Sequence, residues 1–116
     1  MIANRMVRLY SKYLGRGPTK VRATVNTNLA VVVLQETMTR AEQSLVAAGE
    51  AEAVHNLRRT LKRSMRDEAV ATVEEVLQRR VTAYMSDLDT EANAASIVFT
   101  LEPLPESGTV EVAEAS

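Results

Sequence analysis

Four groups of residues in this sequence have types and spacings that could do chemistry. In "YLGRGPTKVRATV" (13–25), Arg16 stands between Gly15 and Gly17, Pro18 closes the turn, and Lys20 and Arg22 follow. Glycines beside cations can let backbone N–H groups wrap a phosphate, so Arg16, Lys20 and Arg22 form a candidate small-anion or nucleotide site. A second group, Arg58, Arg59, Lys62, Arg63 and Arg66, falls within about 140° of a helical wheel and could hold an anion or an acidic partner. Third, Asp87, Asp89 and Glu91 make a D-x-D-x-E run of the kind that suits hard cations. A calcium loop, however, needs glycine at its sixth position and a distal glutamate, where this chain has Ala92 and Val98. Solvated loop carboxylates are the better reading. Fourth, His55 is the only histidine and there is no cysteine, so one chain cannot assemble a sulfur–nitrogen zinc site. His55 reads as a partly exposed helix residue, and the residues suggest no catalytic group, metal site or cofactor.

The elements that must position these groups decide between the readings. Met6, Val7, Leu9, Tyr10, Tyr13 and Leu14 recur at helical spacing, with Arg5, Arg8, Lys12 and Arg16 along the other side. Gly15, Gly17 and Pro18 then suit a helix stop and turn, with Gly17 expected at positive φ. A helix C-terminus presents the negative end of its dipole, whereas a phosphate cradle needs glycines leading into a helix N-terminus. "GRGP" therefore reads first as a stop.

Two β runs follow. "KVRATV" alternates, and "LAVVVLQE" is apolar on both faces, the pattern of a central strand covered on both sides; "NTN" between them makes a hairpin. Thr39 and Glu42 match a capping box at the next helix start, and Gly49 suits its end. From Glu50 to Arg80 the pattern stays helical, but Val54, Leu57, Leu61 and Met65 lie on a different stripe from Val70, Val73 and Leu77. A kink or break near 64–68 is expected, with Asp67 able to cap a second segment. "VTAYMSDL" and "ASIVFTLE" then make a second hairpin across "DLDTEANA". The order α-β-β-α-α(-α)-β-β implies an α+β domain over 1–102, a mostly antiparallel sheet of two hairpins with helices packed on one face.

Composition narrows the function classes. The 116 residues carry a net charge of -1, which exerts no global pull on nucleic acid or membrane, and no apolar run is long enough to span a bilayer. A charged amino-terminal stretch and the absence of cysteine fit a cytoplasmic protein. Residues 1–22 hold six bases and no acid, while 103–116 hold three glutamates and no base and read as a flexible acidic tail. Only Tyr10, Tyr13, Tyr84 and Phe99 are aromatic, leaving little to stack on bases, so a peripheral nucleic-acid binder is the weaker alternative. The strand "LAVVVL" offers more apolar surface than short helices on one side cover, which points to a homodimer through helices or a sheet edge.

The succession "YSKYLGRGPTKVRATV", an apolar strand, "MTRAEQSL", "VHNLRRTLKRSMRDEAVATVEEVLQRRV" and "SDLDTEANAASIVFTLE" resembles the bacterial MpsC-like family over about residues 7–102. Its most specific marks are the G-x-G-P turn at Gly15, Gly17 and Pro18, the T-x-x-E start at Thr39 and Glu42, and the Asp-rich stretch before the last strand. The family was first catalogued as a domain of unknown function. Its name comes from a component associated with a Na⁺-translocating, membrane-potential-generating system linked to inorganic-carbon uptake. The resemblance implies a small accessory or regulatory protein, more an interaction module than an enzyme, itself peripheral to the membrane and with a protein partner at a membrane system. Relatives often have proline where this chain reads "MRDEAV", which softens the expected break.

Overall fold

A computed structural model describes residues 1–103; of the acidic tail expected over 103–116, all but residue 103 lies outside the described residues. The elements are α1 (Ile2–Leu14), β1 (Lys20–Asn26), β2 (Leu29–Gln35), α2 (Arg40–Ala47), α3 (Ala51–Leu77), β3 (Val81–Asp89) and β4 (Ala94–Leu101). The α+β architecture and the element order are those expected, with two helices rather than three between the hairpins. The four strands pair antiparallel throughout in the order β1-β2-β4-β3, so the two hairpins meet through β2 and β4 and the edges are β1 and β3.

α1 stops because Gly15 adopts φ 78° and its N–H bonds the Ser11 carbonyl at 2.9 Å. Gly17 serves a different purpose from the one expected. It is not among the glycines at positive φ; instead, a Cβ there would stand 2.6 Å from Ser11 Oγ. The turn folds back so tightly on α1 that a side chain at this position would have to displace the Ser11 hydroxyl. The capping box at the start of α2 is present: Thr39 Oγ1 accepts from Glu42 N–H at 3.1 Å and Glu42 Oε1 accepts from Thr39 N–H at 2.8 Å.

The expected break in α3 is absent, and the helix runs unbroken for 27 residues. Proline and glycine are missing from 51–77, so nothing in the chain forces a kink. The two apolar stripes do not compete, because one buried face takes most of the first stripe and Val73 of the second. Val54, Met65, Ala69, Thr72 and Val73 are buried, with Arg58 and Leu61 between them, and together they occupy one side of a straight helix of 3.6 residues per turn. Leu57, expected inside, is 46% exposed. Arginine, alanine and threonine hold positions on the buried face that a search for large apolar residues overlooks.

The core lies between the helices and one face of the sheet. Met6, Leu9 and Tyr10 of α1, the buried face of α3, and Ala30, Val32, Leu34, Ala95, Ile97, Phe99 and Leu101 form one cluster. Register places Val21, Ala23 and Val25 of β1 and Tyr84, Ser86 and Leu88 of β3 on this same inner face. A bulge between Val81 and Ala83 breaks the simple alternation expected there, so Val81 pairs with Leu101 while Ala83 pairs with Thr100. β2 is central, as expected, but it is covered by helices on one side only: Val32 and Leu34 are buried, while Val33 is 37% exposed.

Candidate functional site

α3 carries the largest concentration of cations, and its packing sorts them. Arg58 turns inward. Its side chain is 12% exposed, and it meets Glu42, itself buried, through Nε to Oε2 at 2.7 Å and Nη2 to Oε1 at 2.9 Å. The guanidinium also donates to the Thr37 carbonyl at 3.0 Å and to Thr37 Oγ1 at 3.3 Å. One residue of α3 thereby fastens the β2–α2 connection and the first turn of α2. Burial alone would push the Glu42 carboxyl up, but the Arg58 hydrogen bonds and the Thr39 N–H together hold it below its ordinary value. Arg58 is thus committed to holding the fold.

The remaining cations face outward to different degrees. Lys62 is half-buried and donates to the Ser86 carbonyl at 3.3 Å. Arg59, Arg63 and Arg66 are exposed; Arg59 donates to Asn56 Oδ1 at 2.6 Å, and Arg66 lies 6.0 Å from the centre of the Tyr84 ring. None of these three makes an ion pair among the described residues. Spaced by four and three residues, they form one ridge along two turns of α3. Beside it lies a cleft of about 140 Å³ between α1, α3 and β3, lined by Tyr10, His55, Arg59, Lys62 and Tyr84 among others. Burial, reinforced by Tyr84 and opposed by Arg58, pushes the Tyr10 phenol up to about 12, so it is neutral at any physiological pH. Tyr84 is likewise raised, mainly by burial.

The amino-terminal basic stripe is partly neutralised by α3. Arg5 pairs with Glu75 at 3.3 Å, and Lys12 with Glu68 at 3.0 Å. Tyr13 adds a hydrogen bond to Glu68 at 3.0 Å. The cations of the "GRGP" region are not gathered into one cradle. Arg16 donates to the Met38 carbonyl at 3.2 Å, whereas Lys20 and Arg22 lie on the outer, helix-free face of β1. In the second hairpin, Asp89 Oδ1 accepts from the N–H groups of Glu91 and Ala92 at 3.0 and 2.9 Å and shapes the loop. Asn93, at φ 52°, ties that loop to the β2–α2 connection by accepting from Met38 N–H.

The role of Glu42 went unread in the sequence. A capping box uses one carboxylate oxygen, so the second oxygen of a buried box needs a cation, and the spacing of 16 residues to Arg58 on the next helix is where that cation sits.

An antiparallel sheet with helices on one face and an exposed basic ridge on the longest of them define a small α+β domain. Against known families, residues 1–103 match the one described as "MpsC: Na+-translocating membrane potential-generating system (MpsC)". The chain belongs to that family. No curated protein and no solved structure matches it. Among the described residues, no helix is long and apolar enough to cross a membrane.

Proposed function

We propose that this chain is a non-enzymatic accessory component of a Na⁺-translocating, membrane-potential-generating system of the kind linked to inorganic-carbon uptake. In this reading it is a cytoplasmic homodimer, peripheral to the membrane, that docks on an acidic surface of a partner subunit. Family membership supplies the system. The observation that carries the docking mode is the ridge of Arg59, Arg63 and Arg66, exposed and without ion-pair partners among the described residues, while Arg5, Lys12 and Arg58 are all paired. Like charges at i,i+4 and i,i+3 disfavour a helix by a few tenths of a kcal/mol per pair, a cost that an acidic partner would reverse.

The test is reversal of Arg59, Arg63 and Arg66 to glutamate, with co-purification of the system's membrane subunits at low and high salt. The triple variant should fold normally and lose capture, and wild-type capture should weaken with salt. Equal capture by both proteins at both salts would remove the ridge from the mechanism.

A second reading rests on the cleft beside the ridge, where Tyr10, His55, Arg59, Lys62 and Tyr84 could hold a small anion. A thermal-shift series over phosphate, bicarbonate, nucleotides and short nucleic acids tests it. A ligand that binds only the folded chain must raise its melting temperature, and no shift by any of them would dismiss this reading.

A further inference from the structure

The outer face of the sheet is laid out in rows by the register of the four strands. Across β1, β2, β4 and β3, the first row is Lys20, Gln35, Ala94 and Asp89, and the second is Arg22, Val33, Ser96 and Asp87. The third is Thr24, Val31, Val98 and Met85, and the fourth is Asn26, Leu29, Thr100 and Ala83. Bases occupy the β1 edge, acids occupy the β3 edge at the same height, and Val33, 37% exposed, Val31, Leu29 and Val98 form an apolar strip on the central strands between them, with Met85, 48% exposed, beside it on β3. None of Lys20, Arg22, Asp87 and Asp89 makes an ion pair among the described residues.

This pattern is its own complement under one symmetry operation. A two-fold axis parallel to the strands, lying between two sheets packed face to face, brings the β1 edge of each copy over the β3 edge of the other without changing height. Lys20 then meets Asp89 of the second copy, Arg22 meets its Asp87, and the apolar strips stack. A two-fold axis perpendicular to the strands instead sets β1 over β1 and reverses the rows, leaving all four charges without opposites. Aligned sheets pack about 10 Å apart and about 30° off parallel, an offset that long lysine and arginine side chains span.

We infer that the outer sheet face is the homodimer interface, formed by a second copy of this chain related by a two-fold axis parallel to the strands. The inference rests on the homodimer reading above and specifies its surface. It also accounts for β2, whose sequence is that of a strand covered on both sides while its own helices cover only one. Four strands about 4.8 Å apart and seven residues of about 3.4 Å each present on the order of 450 Å² per copy. That is small for a specific interface and fits a dimer that exchanges at micromolar concentration.

Two charge-reversed variants test the geometry: Lys20→Glu with Arg22→Glu, and Asp87→Lys with Asp89→Lys. Sedimentation equilibrium reads the oligomeric state, and circular dichroism verifies that each variant folds. Wild type should be a salt-sensitive dimer. Each variant alone brings like charges together at both edges and should raise the dissociation constant by about 100-fold or more. An equimolar mixture restores opposite charges at both edges and should form a heterodimer about as tight as wild type. A wild-type dimer that neither reversal weakens, or a mixture that stays monomeric, would overturn this face while leaving dimerisation itself standing. A monomeric wild type at high micromolar concentration would overturn both.

Discussion

Replacing Arg58 by methionine tests whether the buried pair organises the β2–α2 connection. The substitution preserves most of the aliphatic stem but leaves Glu42, about 1% exposed, without its two charge-assisted bonds at 2.7 and 2.9 Å. It also strips the Thr37 carbonyl and hydroxyl of their donors. Removing one member of a buried pair costs about 3–5 kcal/mol, because an uncompensated charge stays in a dry site. Against the roughly 5–15 kcal/mol of a typical domain, the variant should fold with its urea midpoint sharply lowered. Combining it with Glu42→Leu removes both charges and loses only the α2 cap and the Thr37 contacts. The double variant should therefore be more stable than the sum of the single losses by about 2 kcal/mol or more. Acid dependence supplies a second readout. The folded Glu42 carboxyl lies below its ordinary value of 4.5, so the unfolded chain binds its proton first as pH falls. The pair's contribution is complete above 4.5 and is lost as pH drops through the depressed value, a loss the double variant should not show. Refutation would be an Arg58→Met cost below about 1 kcal/mol, or single losses that add within about 0.5 kcal/mol.

At the first turn, Gly17→Ala should cost about 1 kcal/mol in urea unfolding, because the new methyl displaces Ser11 Oγ from its 2.8 Å bond to the Val7 carbonyl. Adding Ser11→Ala should recover much of that loss, and an unchanged midpoint for Gly17→Ala alone would remove the steric argument. In alkali, the Tyr10 phenol should resist ionisation to about pH 12, so stability tied to it is full below 10 and falls as pH rises from 10 towards 12. Absorbance titration should lose its highest-pH component in Tyr10→Phe; its persistence there would assign that component to another tyrosine.

The elements were legible because their determinants are local. Gly15 ends α1 by backbone conformation, Thr39 and Glu42 cap α2 within four residues, and the β runs of the two hairpins carry their own period. What escaped depends on contacts distant in sequence. Arg58 looked like one of five equivalent cations because helical periodicity places residues around an axis without saying which side faces the core. The deciding partner, Glu42, lies on another helix and was already explained as a cap. The continuity of α3 has the same physical origin: Leu57 is large but faces outward, while Arg58 and Ala69 hold places on the buried face.

The apolar run of β2 was read correctly for position and incorrectly for cover, and the difference carries the functional argument. Alternation within a strand fixes which residues share a face; only pairing fixes which residues share a row. Before register, Lys20 and Arg22 belonged with Arg16 as cations beside a glycine turn, and Asp87 and Asp89 belonged with Glu91 as loop carboxylates. Register moves both pairs to opposite edges of one apolar sheet face at matching heights. Lys20 and Arg22 of one candidate site and Asp87 and Asp89 of another thereby become the two halves of the self-complementary surface proposed for the dimer. The α3 ridge lies on the helical side of the sheet. A dimer joined through the outer faces would therefore leave both ridges open to a partner, giving the assembly two equivalent docking points whose binding reinforces each other when one partner can reach both.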